Sequence, residues 1–202
     1  MAASTLSEAD LRDLVEKVVR RTLGEPQADQ PTAAVAAVAA PAASTPAPSQ
    51  GVVALGADHG GFALKENLKA YLTELGYSVR DCGTHSTEAV DYPDLAYAVA
   101  RLVASGEAWR GIVVDGAGIG SSMAANKVPG ARAALCYDYS SAVNSREHND
   151  ANVLTLGAGL IGPALARTIA QTWLTTAYAG GRHQRRIDKI TEIERRFLKN
   201  GA

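Results

Sequence analysis

The sequence predicts a three-layer α/β/α Rossmann-like domain built on a five-stranded parallel sheet. From Gly51 onward, short runs of apolar and β-branched residues alternate with longer amphipathic stretches, which is typical of parallel strands covered on both faces by helices. The chain has 202 residues, of which 47% are hydrophobic, enough for one substantial core. We therefore expect one folded domain over 51–202, preceded by two segments of different character.

Each strand of the sheet is predicted from a short apolar run, and each helix from an amphipathic stretch between two such runs. The strands are Val52–Ala57, Tyr77–Asp81, Gly111–Val114, Ala131–Tyr137 and Val153–Leu156. The helices are Phe62–Leu75, Leu95–Ala104, Ile119–Asn126, Ser140–Arg146 and Ala164–Tyr178. The charged stretch Asp188–Lys199 is predicted to be a solvated helix with three apolar residues available to a neighbouring chain: Ile190, Ile193 and Phe197.

The first 50 residues divide into a helix and a linker. Residues 1–24 carry an apolar stripe at helical spacing that includes Leu11 and Val15, and Gly24 suits the end of a helix. Residues 25–50 contain ten alanines and five of the eight prolines, so they cannot bury enough apolar surface to offset the entropy of ordering. We predict an amphipathic targeting helix on a disordered linker.

Charge and composition exclude several classes of function. With 20 basic and 21 acidic residues the formal net charge is −1, so no whole-chain field attracts nucleic acid or an anionic membrane. The two cysteines, Cys82 and Cys136, suggest neither a disulfide framework nor a zinc site. No apolar run reaches the length of a membrane span. We expect a cytoplasmic protein.

Polar, titratable residues follow three of the predicted strands. Asp58 and His59 follow the first strand, Asp115 follows the third, and His148 and Asn149 lie in the segment after the fourth. Because ligands of such sheets bind beyond the carboxyl ends of the strands, we expect these residues to form one site. Taken singly, the two histidines are equally explained as hydrogen-bonded loop residues.

The loop after the third strand is glycine-rich and opens a helix. Its backbone N–H groups would converge on a phosphate or on an oxygen that becomes negative during reaction, although an ordinary strand-to-helix turn has the same composition. Asp115 faces this loop and is a candidate general base, with a helix-capping or loop-ordering aspartate as the alternative. The loop residues are Gly116, Ala117, Gly118, Ile119 and Gly120.

Near the carboxyl end, Arg182 and Arg186 lie one helical turn apart. Two guanidinium groups on one helix face form a fork for a phosphate. A solvated basic helix start is the alternative interpretation.

The chain contains five further motifs in order: 56–62 (GADHGGF), 91–94 (DYPD), 122–127 (SMAANK), 145–154 (SREHNDANVL) and 180–186 (GGRHQRR). Together they resemble the ribose-5-phosphate isomerase B and galactose-6-phosphate isomerase superfamily, and its ribose-phosphate branch in particular. The resemblance covers about Val52 to Phe197.

This resemblance implies an enzyme that interconverts aldose and ketose phosphates through an enediolate, without a metal or cofactor. It also implies an active site at a dimer interface, in a homodimer or tetramer. The residues it assigns are Asp58, His59 and Asn149 for the sugar and its phosphate, the 116–120 backbone for the enediolate oxygens, His148 for opening the furanose ring, and Arg182 and Arg186 for the phosphate.

The chain departs from the family pattern at positions that bear on the chemistry. The family's base is a cysteine at the position of Asp115 or a glutamate at that of Ser121; both are absent, so we predict that Asp115 replaces it. A small hydroxyl residue is here Ala117, and a phosphate-binding arginine is Gly159. Ribose 5-phosphate is the expected substrate, with a tetrose or hexose phosphate as one alternative. A module that binds phosphosugar without turnover is another.

The N-terminal extension resembles the encapsulation peptides of bacterial microcompartment cargo enzymes. That resemblance implies that residues 5–24 dock on a shell protein or on other cargo as a helix in a groove. A helix lying on a membrane surface and a plain disordered tail are the alternatives.

Overall fold

The computed structural model describes residues 7, 9, 12, 13, 15–17 and 51–198. The chain divides into two units, Met1–Ala43 and Ser44–Ala202. In the first unit the described residues from Ala9 to Lys17 are helical, and Lys17 pairs with Asp13 at 3.2 Å. Most of the predicted targeting helix (1–24), the whole predicted linker (25–50) and Lys199 lie outside the described residues.

The second unit contains one sheet of five parallel strands. The strands are β1 (Val53–Ala57), β2 (Val79–Asp81), β3 (Arg110–Asp115), β4 (Ala133–Leu135) and β5 (Val153–Gly157). Their order in the sheet is β2-β1-β3-β5-β4. The chain therefore leaves β1 toward one side of the sheet and resumes on its other side at β3. Such a switch point opens a crevice beyond the carboxyl ends of the two strands, where ligands of open α/β sheets bind.

Within residues 51–198, five helices cover the two faces of the sheet, and a sixth follows them after a short 3₁₀ turn, Gly181–His183. They are α1 (Phe62–Glu74), α2 (Tyr92–Ala104), α3 (Ile119–Ala125), α4 (Tyr139–Glu147), α5 (Pro163–Thr175) and α6 (Gln184–Leu198). None of the described helices is long and apolar enough to cross a membrane.

Two apolar clusters fill the space on either side of the sheet, which confirms the predicted three-layer α/β/α class. On one face, α1, α4 and α5 pack against alternate strand residues such as Leu55 and Ile112, with Trp173 fully buried. On the other face, α2 and α3 pack against the intervening residues Ala54 and Val113. The alternation follows from the period of two along each strand.

The predicted strands and helices of the domain are confirmed, with differences at their ends. Helix α2 begins at Tyr92 rather than Leu95, because Pro93 sits in the first turn, where proline is compatible with a helix. Helix α5 ends at Thr175 rather than Tyr178, since Thr176 has an extended backbone. The outer strands β2 and β4 are shorter than predicted.

The last helix, α6, begins at Gln184, four residues before the predicted start. Three of its apolar side chains are exposed, by 51% at Ile190, 55% at Ile193 and 77% at Phe197. These are the residues that the sequence offers to a neighbouring chain.

Candidate active site

The loop after β1 places Asp58 and His59 at the switch point. Asp58 is buried, and its Oδ1 accepts a hydrogen bond of 2.8 Å from the N–H of Gly61, which precedes α1. His59 is exposed, and its Nδ1 lies 3.2 Å from the carbonyl oxygen of Val90. Its Nε2 has no hydrogen bond to any described residue and is available to a ligand.

Asp115, at the end of β3, is buried and bound by the loop that follows it. Its Oδ1 accepts hydrogen bonds from the N–H groups of Ala117, at 2.8 Å, and Gly118, and its Oδ2 accepts one of 3.0 Å from Ser121. These are the contacts of a loop-ordering aspartate. A carboxylate has about four acceptor positions, so one position remains for a substrate proton. The predicted role as base stays a prediction.

We call the backbone of 116–120 the cradle loop. Two of its carbonyl oxygens are held by neighbours: that of Gly116 accepts from the N–H of Gly159 at 2.9 Å, and that of Ala117 accepts from the Tyr137 hydroxyl at 2.6 Å. Within the described residues, three N–H groups of the loop have no acceptor: those of Gly116, Ile119 and Gly120. A loop held in this way presents its free donors without reorganisation.

The loops after β1 and β3 lie side by side. A methyl group built on Gly60 would lie 3.4 Å from Asp58 Oδ1 and 3.7 Å from the Gly116 nitrogen. The ring of Tyr92 covers Gly120, since a methyl group there would lie 2.5 Å from the ring. Asp58, His59, Asp115 and the cradle loop are therefore brought together, as predicted.

A second cluster forms around His148, which caps the end of α4. Its ring stacks on that of His183 with centroids 4.2 Å apart, and its Nδ1 lies 2.8 Å from Asn144 Nδ2. The amide donates to Nδ1, which fixes Nε2 as the protonated nitrogen of the neutral ring. The Asn149 amide also contacts Asn144, at 3.3 Å.

The predicted phosphate fork lies against this cluster. Arg182 Nε lies 3.4 Å from His183 Nε2, and neither Arg182 nor Arg186 has a carboxylate within 4.0 Å in the part of the chain that is described. Burial of His183, together with the charges of His148 and the two arginines, lowers its pKa. Two guanidinium groups without a carboxylate partner among the described residues suit an anionic ligand.

The expectation that His148 and Asn149 lie with Asp115 at the carboxyl edge is wrong within one chain. Helix α4 begins at Tyr139, beyond the carboxyl end of β4, and returns antiparallel to the strands over nine residues, about 13 Å. His148 therefore lies at the amino edge, just before β5, and the hydrogen bond from Ala179 N–H to Glu147 ties the arginine segment to the same place. The predicted site residues form two clusters on opposite edges of the sheet.

Sequence reasoning missed four residues that shape these clusters. They are Tyr92, Tyr137, Asn144 and His183. Tyr92 lies within the motif 91–94 and His183 within the motif 180–186, so these motifs could have identified both residues. Tyr137 acts through a contact with a residue 20 positions away, which no local pattern marks. Asn144 lies one helical turn before His148, and that spacing could have identified it. Within the described part of the chain, no group of three or more His, Cys, Asp or Glu side chains is arranged to hold a metal.

Together, the carboxylate beside a donor loop, the histidine pair and the unpaired arginines fit one class of protein, the sugar-phosphate isomerases. Such an enzyme needs a proton acceptor, donors for an enediolate oxygen and cations for a phosphate. The chain belongs to the family described as Ribose/Galactose Isomerase, whose model matches residues 53–190.

Individual relatives agree with this assignment. The ribose-5-phosphate isomerase B of Escherichia coli is 49% identical over 144 residues, 71% of this chain and 97% of that one. A protein named D-erythrulose-4-phosphate isomerase, from Pectobacterium atrosepticum, is 41% identical over 143 residues, 70% of this chain and 94% of that one. The solved ribose-5-phosphate isomerase B of Clostridium thermocellum is 51% identical with a TM-score of 0.72, covering 72% of this chain and 99% of that one.

Proposed function

We propose that the protein interconverts ribose 5-phosphate and ribulose 5-phosphate through an enediolate, with Asp115 as the base. The observation that carries this is the buried Asp115 carboxylate beside three N–H groups without acceptors. Asp115 takes the proton from C2 of the open-chain aldose, and the N–H groups hold O1 as it becomes negative. The O2 proton then passes to O1, and the Asp115 carboxylic acid returns its proton to C1, which leaves the ketose carbonyl at C2. No redox partner is required.

We propose further that two copies of the chain share each site. His148 would open the furanose ring, and Arg182 and Arg186 would hold the phosphate, but in one chain they lie across the sheet from Asp115. A second copy supplies them if its amino edge faces the cradle loop. An apolar groove of about 440 Å³ beside that loop, with Ile119, Met123 and Leu135 in its wall, supports such an interface.

Solvent deuterium exchange at C2 of ribose 5-phosphate tests the assignment of the base. We expect the wild-type protein to exchange this proton and Asp115→Asn to lower the rate by about 100-fold or more. Asp138→Asn is the matched control: Asp138 caps α4 at the same edge of the sheet, and asparagine caps a helix equally well. Equal rates for wild type and Asp115→Asn would remove Asp115 from the chemistry.

A tetrose phosphate is the second candidate substrate. The relative named D-erythrulose-4-phosphate isomerase favours it, as do Ala117 and Gly159, which replace polar family residues. A side chain at Gly159 would lie 2.9 Å from the Gly116 oxygen, so an arginine there requires a shift of the cradle loop. Exchange rates on a panel of tetrose, pentose and hexose phosphates rank the substrates.

A phosphosugar-binding module without turnover is the remaining alternative, and the three hydrogen bonds that occupy Asp115 favour it. Calorimetry separates it from the isomerase. Binding of ribose 5-phosphate without exchange on any member of the panel would support the module, whereas binding with exchange supports the enzyme.

For the N-terminal extension we propose a role as an address for a bacterial microcompartment in the cytoplasm. The apolar stripe of residues 5–24 supports docking on a shell protein or co-cargo. A chain that lacks residues 1–50 should fold and should have the same isomerase activity as the full chain. It should fail to co-purify with assembled shells. Loss of activity on truncation would instead mean that the extension packs on the catalytic domain.

A further inference from the structure

The loop that carries His148 and Asn149 from α4 to β5 contains an unusual backbone position. Asp150 has a φ of +43° and is the one non-glycine residue with positive φ among those described. Helices commonly end in this left-handed conformation, with glycine the preferred residue. An aspartate there costs on the order of 1 kcal/mol in backbone energy. The Asp150 side chain makes contacts that glycine would lack.

Arginines from three different segments of the chain surround the Asp150 carboxylate. Arg146, in α4, donates to Oδ1 at 2.7 Å, and Arg132, just before β4, donates to Oδ2 at 2.9 Å. Arg110, the first residue of β3, lies 4.0 Å from Oδ1. We call these four residues the Asp150 cluster.

The same arginines hold the main chain of the loop. Arg132 donates from Nε and Nη2 to the Asp150 carbonyl oxygen, at 3.0 and 2.9 Å, and Arg146 donates to that of Ala151 at 2.5 Å. The Arg146 side chain is 4% exposed and lies over the Trp173 ring. The loop is thus fixed to the start of the sheet and to the core beneath it.

Three guanidinium groups face one carboxylate in this cluster. Burial and the charge of Arg146 lower the pKa of Arg110 to about 10, and the Asp150 carboxylate opposes that shift. Without the carboxylate, three like charges would remain close together in a partly buried place. The loop would then relax away from its present position.

We infer that Asp150 is a positioning residue: its carboxylate, held by Arg110, Arg132 and Arg146, fixes where His148 is presented to substrate. The catalytic meaning of this inference rests on the proposed function, in which His148 opens the furanose ring. Asp150 itself does not touch the reacting atoms.

Asp150→Gly and Asp150→Asn test the inference, because both residues accept a positive φ and both remove the charge. If Asp150 merely ended α4, glycine would preserve stability and activity. We expect instead that both variants convert ribose 5-phosphate at least about 10-fold more slowly while they remain folded by circular dichroism. Arg132→Gln removes one of the guanidinium groups that bind Asp150. This variant should also stay folded and convert ribose 5-phosphate at least about 10-fold more slowly.

Ribulose 5-phosphate, as a second substrate, distinguishes a misplaced His148 from damage to the whole active site. The C5 oxygen of ribulose 5-phosphate carries the phosphate, so no five-membered ring closes on C2 and no ring opening is needed. Deuterium wash-in at C1 of recovered ribulose 5-phosphate should therefore stay within about twofold of wild type in the Asp150 variants. An equal loss of both activities, or full activity of Asp150→Gly, would overturn the inference.

NMR of His148 tests the positioning role without measuring turnover, so it applies even if the proposed function is wrong. The imidazole NMR signals of His148, assigned with His148→Gln, should shift in Asp150→Gly, while those of His59 and His85, which follow β1 and β2, stay in place. Unchanged His148 signals would overturn the positioning role, whatever the enzyme's substrate. Absence of exchange in the wild-type protein would count against the proposed function alone.

Discussion

Single glycines decide whether the cradle loop forms and whether it stays open. Gly118 has a φ of +75°, and a methyl group there would lie 2.5 Å from Leu135 Cδ1 and 2.8 Å from the Leu156 carbonyl carbon. Gly116 has nothing within 4 Å of the same position. One glycine is thus required by packing and conformation, whereas the other leaves open the space next to a free N–H group.

Alanine at these two positions should separate stability from activity. Gly118→Ala should lower the free energy of unfolding by about 3 kcal/mol through overpacking and strain. Gly116→Ala should change it by less than about 0.5 kcal/mol yet reduce isomerase turnover at least about 10-fold, because the methyl group occupies the substrate side of the loop. Urea unfolding and turnover measure the two effects. Full activity of Gly116→Ala would mean that the substrate does not use this loop.

Among the elements, α1 is fixed to the edge strand β2 by a buried ion pair. The Lys65 side chain is fully buried, and its ammonium group donates to both oxygens of Asp81, at 2.8 and 3.0 Å. Lys69 donates to Asp81 Oδ2 at 2.6 Å, and the Gly83 N–H donates to Asp81 Oδ1 at 2.9 Å. Burial alone would raise the pKa of Asp81, but these hydrogen bonds outweigh it and lower the pKa from 3.8 to about 2.

The contribution of Asp81 to stability should depend on pH. Because its pKa is lower in the folded state, the stabilisation, about 2 kcal/mol, is complete above pH 3.8 and is lost as the pH falls toward 2. Asp81→Asn should therefore lower the free energy of unfolding by about 2 to 4 kcal/mol at pH 7, since the buried Lys65 keeps Glu66 at 2.8 Å but loses the Asp81 carboxylate. The difference in free energy of unfolding between Asp81→Asn and wild type should become smaller below pH 3.8.

Urea unfolding across this pH range measures the effect. Glu107→Gln is the control, because Glu107 forms an exposed ion pair with Arg80 and should show no measurable change. A constant difference between Asp81→Asn and wild type at every pH would contradict the assignment.

At the scale of the whole molecule, the proposed active site is split between the two edges of the sheet. Asp58 and Asp115 lie at the carboxyl edge, and His148 and Arg182 at the amino edge. The five residues of β5 alone separate the edges by about 16 Å. A site that uses both clusters needs two chains related by a twofold axis, each giving one edge to the other.

Complementation between variants should reveal this arrangement. Asp115→Asn and Arg182→Gln should each be nearly inactive alone, but heterodimers isolated with two affinity tags should recover about half of wild-type turnover, because one of their two sites is intact. Asp115→Asn paired with Asp58→Asn should recover nothing, since both changes lie at the same edge. Heterodimers as inactive as their parents would mean that each chain forms its own site.

Much of the fold and part of the site could be predicted from local sequence. Short apolar, β-branched runs placed the strands, and a glycine-rich turn after β3 indicated the cradle loop, because these features depend on neighbours in the chain. Helix ends were less certain where a proline in the first turn or a shift in backbone angle decided them, as at Tyr92 and Thr175. The sequence also left open whether Asp115 orders the loop or acts on substrate.

The sequence by itself determined the α/β class, the identity of the polar residues in each motif and the family to which they belong. The tertiary structure decided how those residues are grouped. It placed His148 on the amino edge, bound Asp115 to three backbone N–H groups and gathered three arginines around Asp150. These outcomes depend on strand order and on contacts between residues distant in the chain, which local patterns do not encode.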